Sequence, residues 1–233
     1  MIRTLSTELT EQLEYYKARA REYDQWWLRQ GRYDRGRELN ALWFADVDEL
    51  TTALQDFTPA GDILELAGGT GIWSEQLLPF ASRLTVVDGS PEVLAINRTR
   101  LNSDRVQYLE ANLFEWRPER EFDTVFFSFW LSHVPEQAFE NFWRLVRSCI
   151  APGGRVFFID SRRDASSTAV DHQLPDTGHV TQRKLNDGRT YHVYKIFHDP
   201  EYLESRLDGL GWSIEVKQTS RYFLYGYGMA ADI

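Results

Sequence analysis

Between Leu5 and about Leu28 the residues Leu9, Leu13, Tyr16, Ala20, Tyr23 and Trp27 recur every three or four positions, with charged residues between them. That spacing lays a single apolar stripe along one helix. Gln30 to Gly36 breaks the pattern as a loop, and Leu39, Leu42, Trp43, Val47, Leu50 and Leu54 then predict a second amphipathic helix that stops before Pro59-Ala60-Gly61. After Gly61 the texture changes to short apolar runs separated by helical spacings, the pattern of a parallel sheet covered on both faces. Strands are predicted at Asp62 to Leu66, Arg83 to Asp88, Val106 to Glu110, Asp123 to Phe129 and Arg155 to Asp160, with helices near Ile72 to Leu78, Pro91 to Asn102 and Glu136 to Ile150. Pro152-Gly153-Gly154 closes the last of these helices, because Pro cannot continue it and Gly supplies the turn. Ser161 to Thr177 is polar and patternless, a surface loop or mobile lid. Asn186-Asp187-Gly188 then joins Val180 to Leu185 and Arg189 to Phe197 as a hairpin, since these turn residues tolerate positive φ. A helix from Pro200 to about Leu210 and strands at Ser213 to Gln218 and Arg221 to Tyr227 complete the sheet.

The expected fold is therefore α/β: a doubly wound, Rossmann-like, mainly parallel seven-stranded sheet with helices on both faces. Residues 1–58 form an N-terminal helical lid, and residues 59–233 form the sheet domain, with 161–198 as a cap or hairpin insertion before the last helix. Composition narrows this reading. With 42% hydrophobic and 26% charged residues the chain can bury a core, so disorder does not fit. No apolar run reaches the roughly 20 residues of a membrane span, and the charged N-terminus is unlike a signal peptide, so the expected location is the cytoplasm, with no membrane partner. The net charge of -9 repels phosphate backbones, so no nucleic-acid partner is expected. Cys149 is the only cysteine and lies in an apolar stretch, which makes it a core residue and leaves neither a disulfide framework nor a cysteine-based zinc site. The 8 Trp, 11 Tyr and 14 Phe crowd the chain with aromatic surface, and Trp26, Trp27 and Trp43 lie near the N-terminus, where they could line a pocket or interface. Assembly is left open, a homodimer included.

The chemistry concentrates after the first strand. Ile63 to Leu66 runs through Ala67-Gly68-Gly69-Thr70-Gly71 into a helix, a glycine turn that lets backbone approach a ligand while the helix start offers unpaired N–H groups. Asp88 ends the second strand, beside that loop in a doubly wound sheet, where a carboxylate accepts hydrogen bonds from two ribose hydroxyls. A nicotinamide fingerprint would place another glycine where this chain has Ser74, and it would not account for Glu65 inside the first strand.

With Glu65-Leu66-Ala67-Gly68-Gly69-Thr70-Gly71 the sequence resembles the class I S-adenosylmethionine-dependent methyltransferases, whose first motif is an acid followed by alternating glycines. Ala67 stands where the family has its first glycine. Leu84 to Pro91 is similar to the family's ribose motif, with Gly89 in place of an apolar adenine neighbour. Val106 to Leu113 resembles its third-strand motif, with Asn112 replacing the acid that takes the adenine amino group. Phe122 to Pro135 resembles the fourth-strand motif, whose end, at Ser128, faces the methionine part of the cofactor. Tyr15-Tyr16 and Tyr23-Asp24 resemble the lid helices. The resemblance implies S-adenosyl-L-methionine as cofactor, S-adenosyl-L-homocysteine as product, and Tyr23, Glu65, Ala67, Gly68, Gly69, Gly71, Asp88, Gly89, Asn112, Leu113 and Ser128 as cofactor-binding residues.

Methyl transfer is an in-line displacement, so the protein mainly positions the acceptor and offers aromatic faces to the cationic sulfur. Tyr16, Trp27, Phe129 and Trp130 are the expected substrate walls, and His133 is the candidate base because its ordinary pKa is near neutral. Absence of an Asn/Asp-Pro-Pro-aromatic motif, of a Pro-Cys nucleophile and of a basic tract sets aside nucleic-acid methylation. The expected acceptor is a small metabolite, aromatic or indole-type as in secondary metabolism, methylated on O, N or C. A non-catalytic S-adenosylmethionine-binding protein and an NAD-dependent oxidoreductase are the alternatives. His172 and His179 with Asp171 and Asp176 match no recognised ligand spacing, so no metal is expected.

Overall fold

A computed structural model describes residues 5–172, 174 and 179–231. In chain order the elements are α1 (Leu5–Arg19), α2 (Tyr23–Trp27), α3 (Arg37–Phe57), β1 (Gly61–Leu66), α4 (Ile72–Leu77), β2 (Ala81–Asp88), α5 (Pro91–Leu101), β3 (Val106–Glu110), β4 (Phe122–Ser128), α6 (Phe139–Cys149), β5 (Ile150–Ser161), β6 (Val180–Lys184), β7 (Thr190–Tyr194), α7 (Pro200–Asp208), β8 (Trp212–Gln218) and β9 (Phe223–Ala230). The seven-stranded sheet has the order β3-β2-β1-β4-β5-β9-β8, and β6-β7 form a separate antiparallel hairpin. The first five strands are parallel and β9 runs antiparallel to both β5 and β8. The chain winds outward from β1 through β2 to β3, then crosses back to place β4 on the other side of β1. That reversal opens a crevice at the carboxyl ends of β1 and β4.

Alternation along the strands divides the core. Leu64, Leu66, Val125, Phe127, Val156 and Phe158 face α6 and α7, together with Phe142, Trp143, Leu203 and Leu207. Ile63, Phe126, Phe157 and Ile159 face α3 and α4, with Trp43, Leu50, Leu54, Trp73 and Leu77. Glu65, one residue from Leu64 and Leu66, must point to the side of Ile63, into this second core. α3 builds that layer and Trp26 and Trp27 of α2 pack against it, so of the α-helices before β1 only α1 lies outside the two core layers.

Several boundaries differ from the sequence reading. The N-terminal stripe is two helices, because a turn at Ala20 to Glu22 brings Tyr23 round onto Arg19, whose guanidinium carbon sits 4.8 Å from the Tyr23 ring centre. The pairing of β5 with β4 starts at Ile150, and a register irregularity absorbs Pro152-Gly153-Gly154. The hairpin's second strand ends at Tyr194, since the Lys195 N–H bonds the His179 carbonyl and the Ile196 N–H bonds that of Ser132, turning the chain toward β4. The last strand starts at Phe223 and extends to Ala230. Among the described residues no helix is long and apolar enough to cross a membrane.

Candidate active site

The glycine loop is braced from below. Ser74 Oγ donates to Glu65 Oε2, and Asn97 on α5 donates to Ser74 Oγ at 2.8 Å and to the Gly68 and Gly69 carbonyls at 3.4 and 3.3 Å. Tyr108 closes the network with a 3.0 Å hydrogen bond to Asn97 Oδ1. Burial pushes the Glu65 carboxyl up to about 8, against the opposing Ser74 hydrogen bond. Glu65 is thus a support beneath the loop. Gly71 has φ +92°, and a Cβ there would lie 2.8 Å from the Asn97 side chain, so its place is fixed by conformation and packing together. Sequence reasoning missed Asn97; its signal was a polar residue on the buried stripe of Val93 and Leu94.

Gly68 answers to close approach. A Cβ there would stand 2.3 Å from Val86 Cγ1 and 3.3 Å from Glu65. Val86 is fully buried and its branched side chain has little freedom. Gly68→Ala is therefore expected to destabilise by about 1–3 kcal/mol, lowering Tm by roughly 2–12 °C. Thermal unfolding checks it, and Val86→Ala in the same chain should recover part of the loss; an unshifted midpoint would contradict the packing argument.

Above the loop lies a cavity of about 250 Å³ at the carboxyl ends of β1, β2 and β4. Tyr23, Ala67, Gly69, Asp88, Gly89, Asn112, Leu113 and Ser128 border it; Glu65, Gly68 and Gly71 do not. Asp88 accepts the Gly69 N–H at 3.0 Å and the Ser90 N–H at 2.9 Å, and burial raises its carboxyl to about 6. Leu13 of α1 comes within 3.0 Å of where a Gly89 Cβ would be, so that glycine is a seat for the helix. Val93, Leu113, Phe114 and Trp130 make an apolar end to the cavity. The exposed Asn112 accepts the Phe114 N–H through its side-chain oxygen at 3.1 Å. A carboxylate for a diol, an apolar slot and backbone brought close by glycine fit S-adenosylmethionine.

Tyr16, Tyr23 and Phe129 also border a second, smaller cavity of about 60 Å³, whose other walls include Arg19, Trp26, His133, Arg183 and Lys195. Phe129 has φ +53° and Ala67 φ +54°, both in the left-handed region, at the ends of adjacent strands β4 and β1. Such strain, on the order of 1–2 kcal/mol per residue, is held by surrounding packing and concentrates at functional sites. The small cavity is cationic. Arg19 is 9% exposed, its Nε is buried without a partner, and the rings of Tyr15, Tyr23 and Tyr33 surround it. Arg183 donates to Thr168 Oγ1 at 2.7 Å and meets His172 Nδ1 at 3.2 Å, and burial lowers its pKa. Lys195, 7% exposed, donates to Ser132 Oγ at 2.8 Å with Asp160 at 3.5 Å; burial brings it down to about 8 against the pull of Asp160. Among the described residues, neither Arg19 nor Arg183 has a carboxylate within 4.0 Å. No sequence signal marked these cations, since one sits inside an aromatic helix stripe and the others at the hairpin.

The expected substrate walls separate. Tyr16 and Phe129 stand between the cavities, but Trp130 lies with Phe114 at the apolar end of the larger one. Trp27 packs against Trp43, Trp73 and Phe223, and its neighbour Trp26 borders the cationic cavity, because the turn before α2 resets the helical phase. His133, the expected base, is held at both ring nitrogens. Its Nδ1 meets the Tyr194 carbonyl and its Nε2 meets Tyr16 Oη at 2.7 Å. Burial, with Lys195 nearby, pushes its pKa down to about 3. Both ring nitrogens are engaged, so the free lone pair a base requires is already taken. His172, read as an imitation metal ligand, is held between Arg32 and Arg183, whose charges oppose a cation; Asp176 lies outside the described residues.

A family model described as "Methyltransferase domain" matches residues 63–154. The chain is 36% identical to the protein in the solved structure titled "DhpI-SAH complex structure", with a TM-score of 0.78 over 99% of this chain and 100% of that one. A second structure, titled "DhpI-SAM-HEP complex", gives 37% identity and a TM-score of 0.77 over 97% and 99% of the two chains. Nodulation protein S of Rhizobium tropici is 29% identical over 120 residues, 49% of this chain and 48% of that protein, so the chain spans about half the length of this curated relative. The protein belongs to the class I S-adenosylmethionine-dependent methyltransferases. Its cofactor is S-adenosylmethionine, which leaves as S-adenosylhomocysteine.

Proposed function

We propose that the protein transfers a methyl group to an oxygen of a small anionic acceptor, a carboxylate or phosphoryl group seated among Arg19, Arg183 and Lys195. The observation that supports this reading is the buried Arg19 guanidinium with an unpartnered Nε and no carboxylate beside it. An uncompensated buried charge costs several kcal/mol, which an anionic ligand would offset. The cavity of about 60 Å³ suits a small head group. The aromatic residues that suggested an indole-type acceptor are largely engaged with one another: Trp26 lies 5.2 Å from Trp43 and 4.9 Å from Phe129 by ring centres. Nothing in the comparisons supports a non-catalytic binder or an oxidoreductase.

Asp88, Gly69 and the apolar walls Leu113, Phe114 and Trp130 would hold the cofactor. When bound, it supplies a methyl carbon on a positively charged sulfur, open to displacement from the opposite side. Arg19 and Arg183 fix the acceptor, and Lys195, anchored by Ser132 and Asp160, supplies a third positive charge. An oxyanion already carries its nucleophilic lone pair, so no base is needed, in keeping with a neutral His133. Tyr16, Tyr23 and Phe129 exclude water between the two cavities.

The test compares matched acceptors by mass spectrometry, each acid against its neutral amide or alcohol. Methylation confined to the acids is expected; equal rates on neutral partners would sink the reading. With an active acid, kcat/KM should fall above about pH 8, because Lys195 loses its proton as pH rises through its lowered pKa. Lys195→Arg, which keeps its charge, should move that alkaline limb upward.

A further inference from the structure

The pairing of Tyr16 with His133 has a determined direction. The Tyr194 carbonyl can only accept, so His133 Nδ1 carries the ring proton and donates to it. The unprotonated Nε2 then accepts, and the Tyr16 hydroxyl donates to it at 2.7 Å. A ring flip would turn carbon atoms toward the Tyr194 carbonyl and the Tyr16 hydroxyl and lose both hydrogen bonds, while Gln12 of α1 donates to the His133 backbone carbonyl at 3.2 Å and accepts the Tyr194 N–H at 3.0 Å, tying helix, histidine and hairpin together. Tyr16 and His133 rings meet edge to face at 5.4 Å. The Tyr16 hydroxyl therefore has no proton left for any ligand.

We propose that Tyr16 holds the transferable methyl group: with its proton committed to His133, its oxygen offers only lone pairs to the two cavities it borders, and these attract a methyl made electropositive by a sulfonium. His133 is then a positioning residue that acts through Tyr16. The charge pattern of the site supports the division of labour. Lone pairs facing an oxyanion would repel it, whereas Arg19, Arg183 and Lys195 attract one. The acceptor thus belongs on the cationic side and the methyl on the Tyr16 side, with Phe129 as the third wall. Carbon–hydrogen donors of this kind make weak but directional contacts. The inference rests on the methyltransferase family assignment and not on the identity of the acceptor, since it concerns cofactor alone.

The experiment is calorimetric titration of the full chain with S-adenosylmethionine and, separately, S-adenosylhomocysteine, which lacks the methyl and the positive charge. Tyr16→Phe is expected to weaken the first by about fivefold relative to the second, while the second stays within about twofold of wild type. His133→Leu, which releases the Tyr16 proton, should shift the ratio in the same direction, and His133→Gln, whose side-chain oxygen can accept that proton, should restore it. A Tyr16→Phe chain that binds the two ligands in the wild-type ratio overturns the proposal. A wild-type ratio in His133→Leu overturns the histidine's part. Binding of S-adenosylhomocysteine shows in each case that the variant is folded.

Discussion

Replacing Arg19 with methionine is expected to lower kcat/KM for an anionic acceptor by about 30- to 5000-fold, the range for removing one member of a buried charge pair. Methionine keeps much of the apolar stem that packs among Tyr15, Tyr23 and Tyr33 but removes the guanidinium. Arg19 does not border the larger cavity, so affinity for S-adenosylhomocysteine should stay within about threefold, and calorimetry on the variant separates lost acceptor binding from lost structure. Arg19→Lys should recover only part of the rate, because an ammonium cannot reproduce the planar fork. If Arg19→Met leaves kcat/KM unchanged in a folded protein, the cationic cavity is not the acceptor seat.

Asp88→Asn should weaken S-adenosylmethionine by about 10- to 150-fold, equivalent to roughly 1.5–3 kcal/mol. Each carboxylate oxygen of Asp88 already accepts one backbone N–H, from Gly69 and from Ser90, and each keeps a lone pair for a ligand hydroxyl. Asparagine has one acceptor oxygen, and its amide N–H groups would face a backbone donor, so it loosens the loop as well as the ligand. The pH dependence has a definite sign. Burial raises the Asp88 pKa to about 6, and a diol donates to the ionised form, so affinity should fall as pH drops through about 6 and level off above it. Titrations at several pH values check both points: the variant should lose this acid limb, and wild-type affinity in Asp88→Asn would remove the ribose assignment.

Much of the scaffold was legible because it follows from local rules. Period-two and period-3.6 patterns, with Pro and Gly between them, set the order of the sheet elements, and the glycine loop followed by Asp88 identified where a nucleotide-like ligand would sit. The sequence reading and the structure part where a side chain answers to distant partners. Glu65 looked like a ligand contact, but strand alternation turns it under the loop to Ser74. His133 looked like a base, but the Tyr194 carbonyl on the hairpin and Tyr16 on α1, both remote in sequence, occupy its nitrogens.

The sequence alone thus determined the order of strands and helices and the glycine loop of a doubly wound sheet, since backbone conformation and hydrophobic period are encoded within short windows, while the cofactor class followed from the family resemblance of its motifs. Only the tertiary structure decided what lines the cationic cavity. Arg19 comes from the N-terminal helix, Arg183 and Lys195 from the hairpin region, and Ser132 and Asp160 from the ends of the sheet. Their electrostatic field depends on mutual distance and on exclusion of water, and neither quantity exists until the chain has folded.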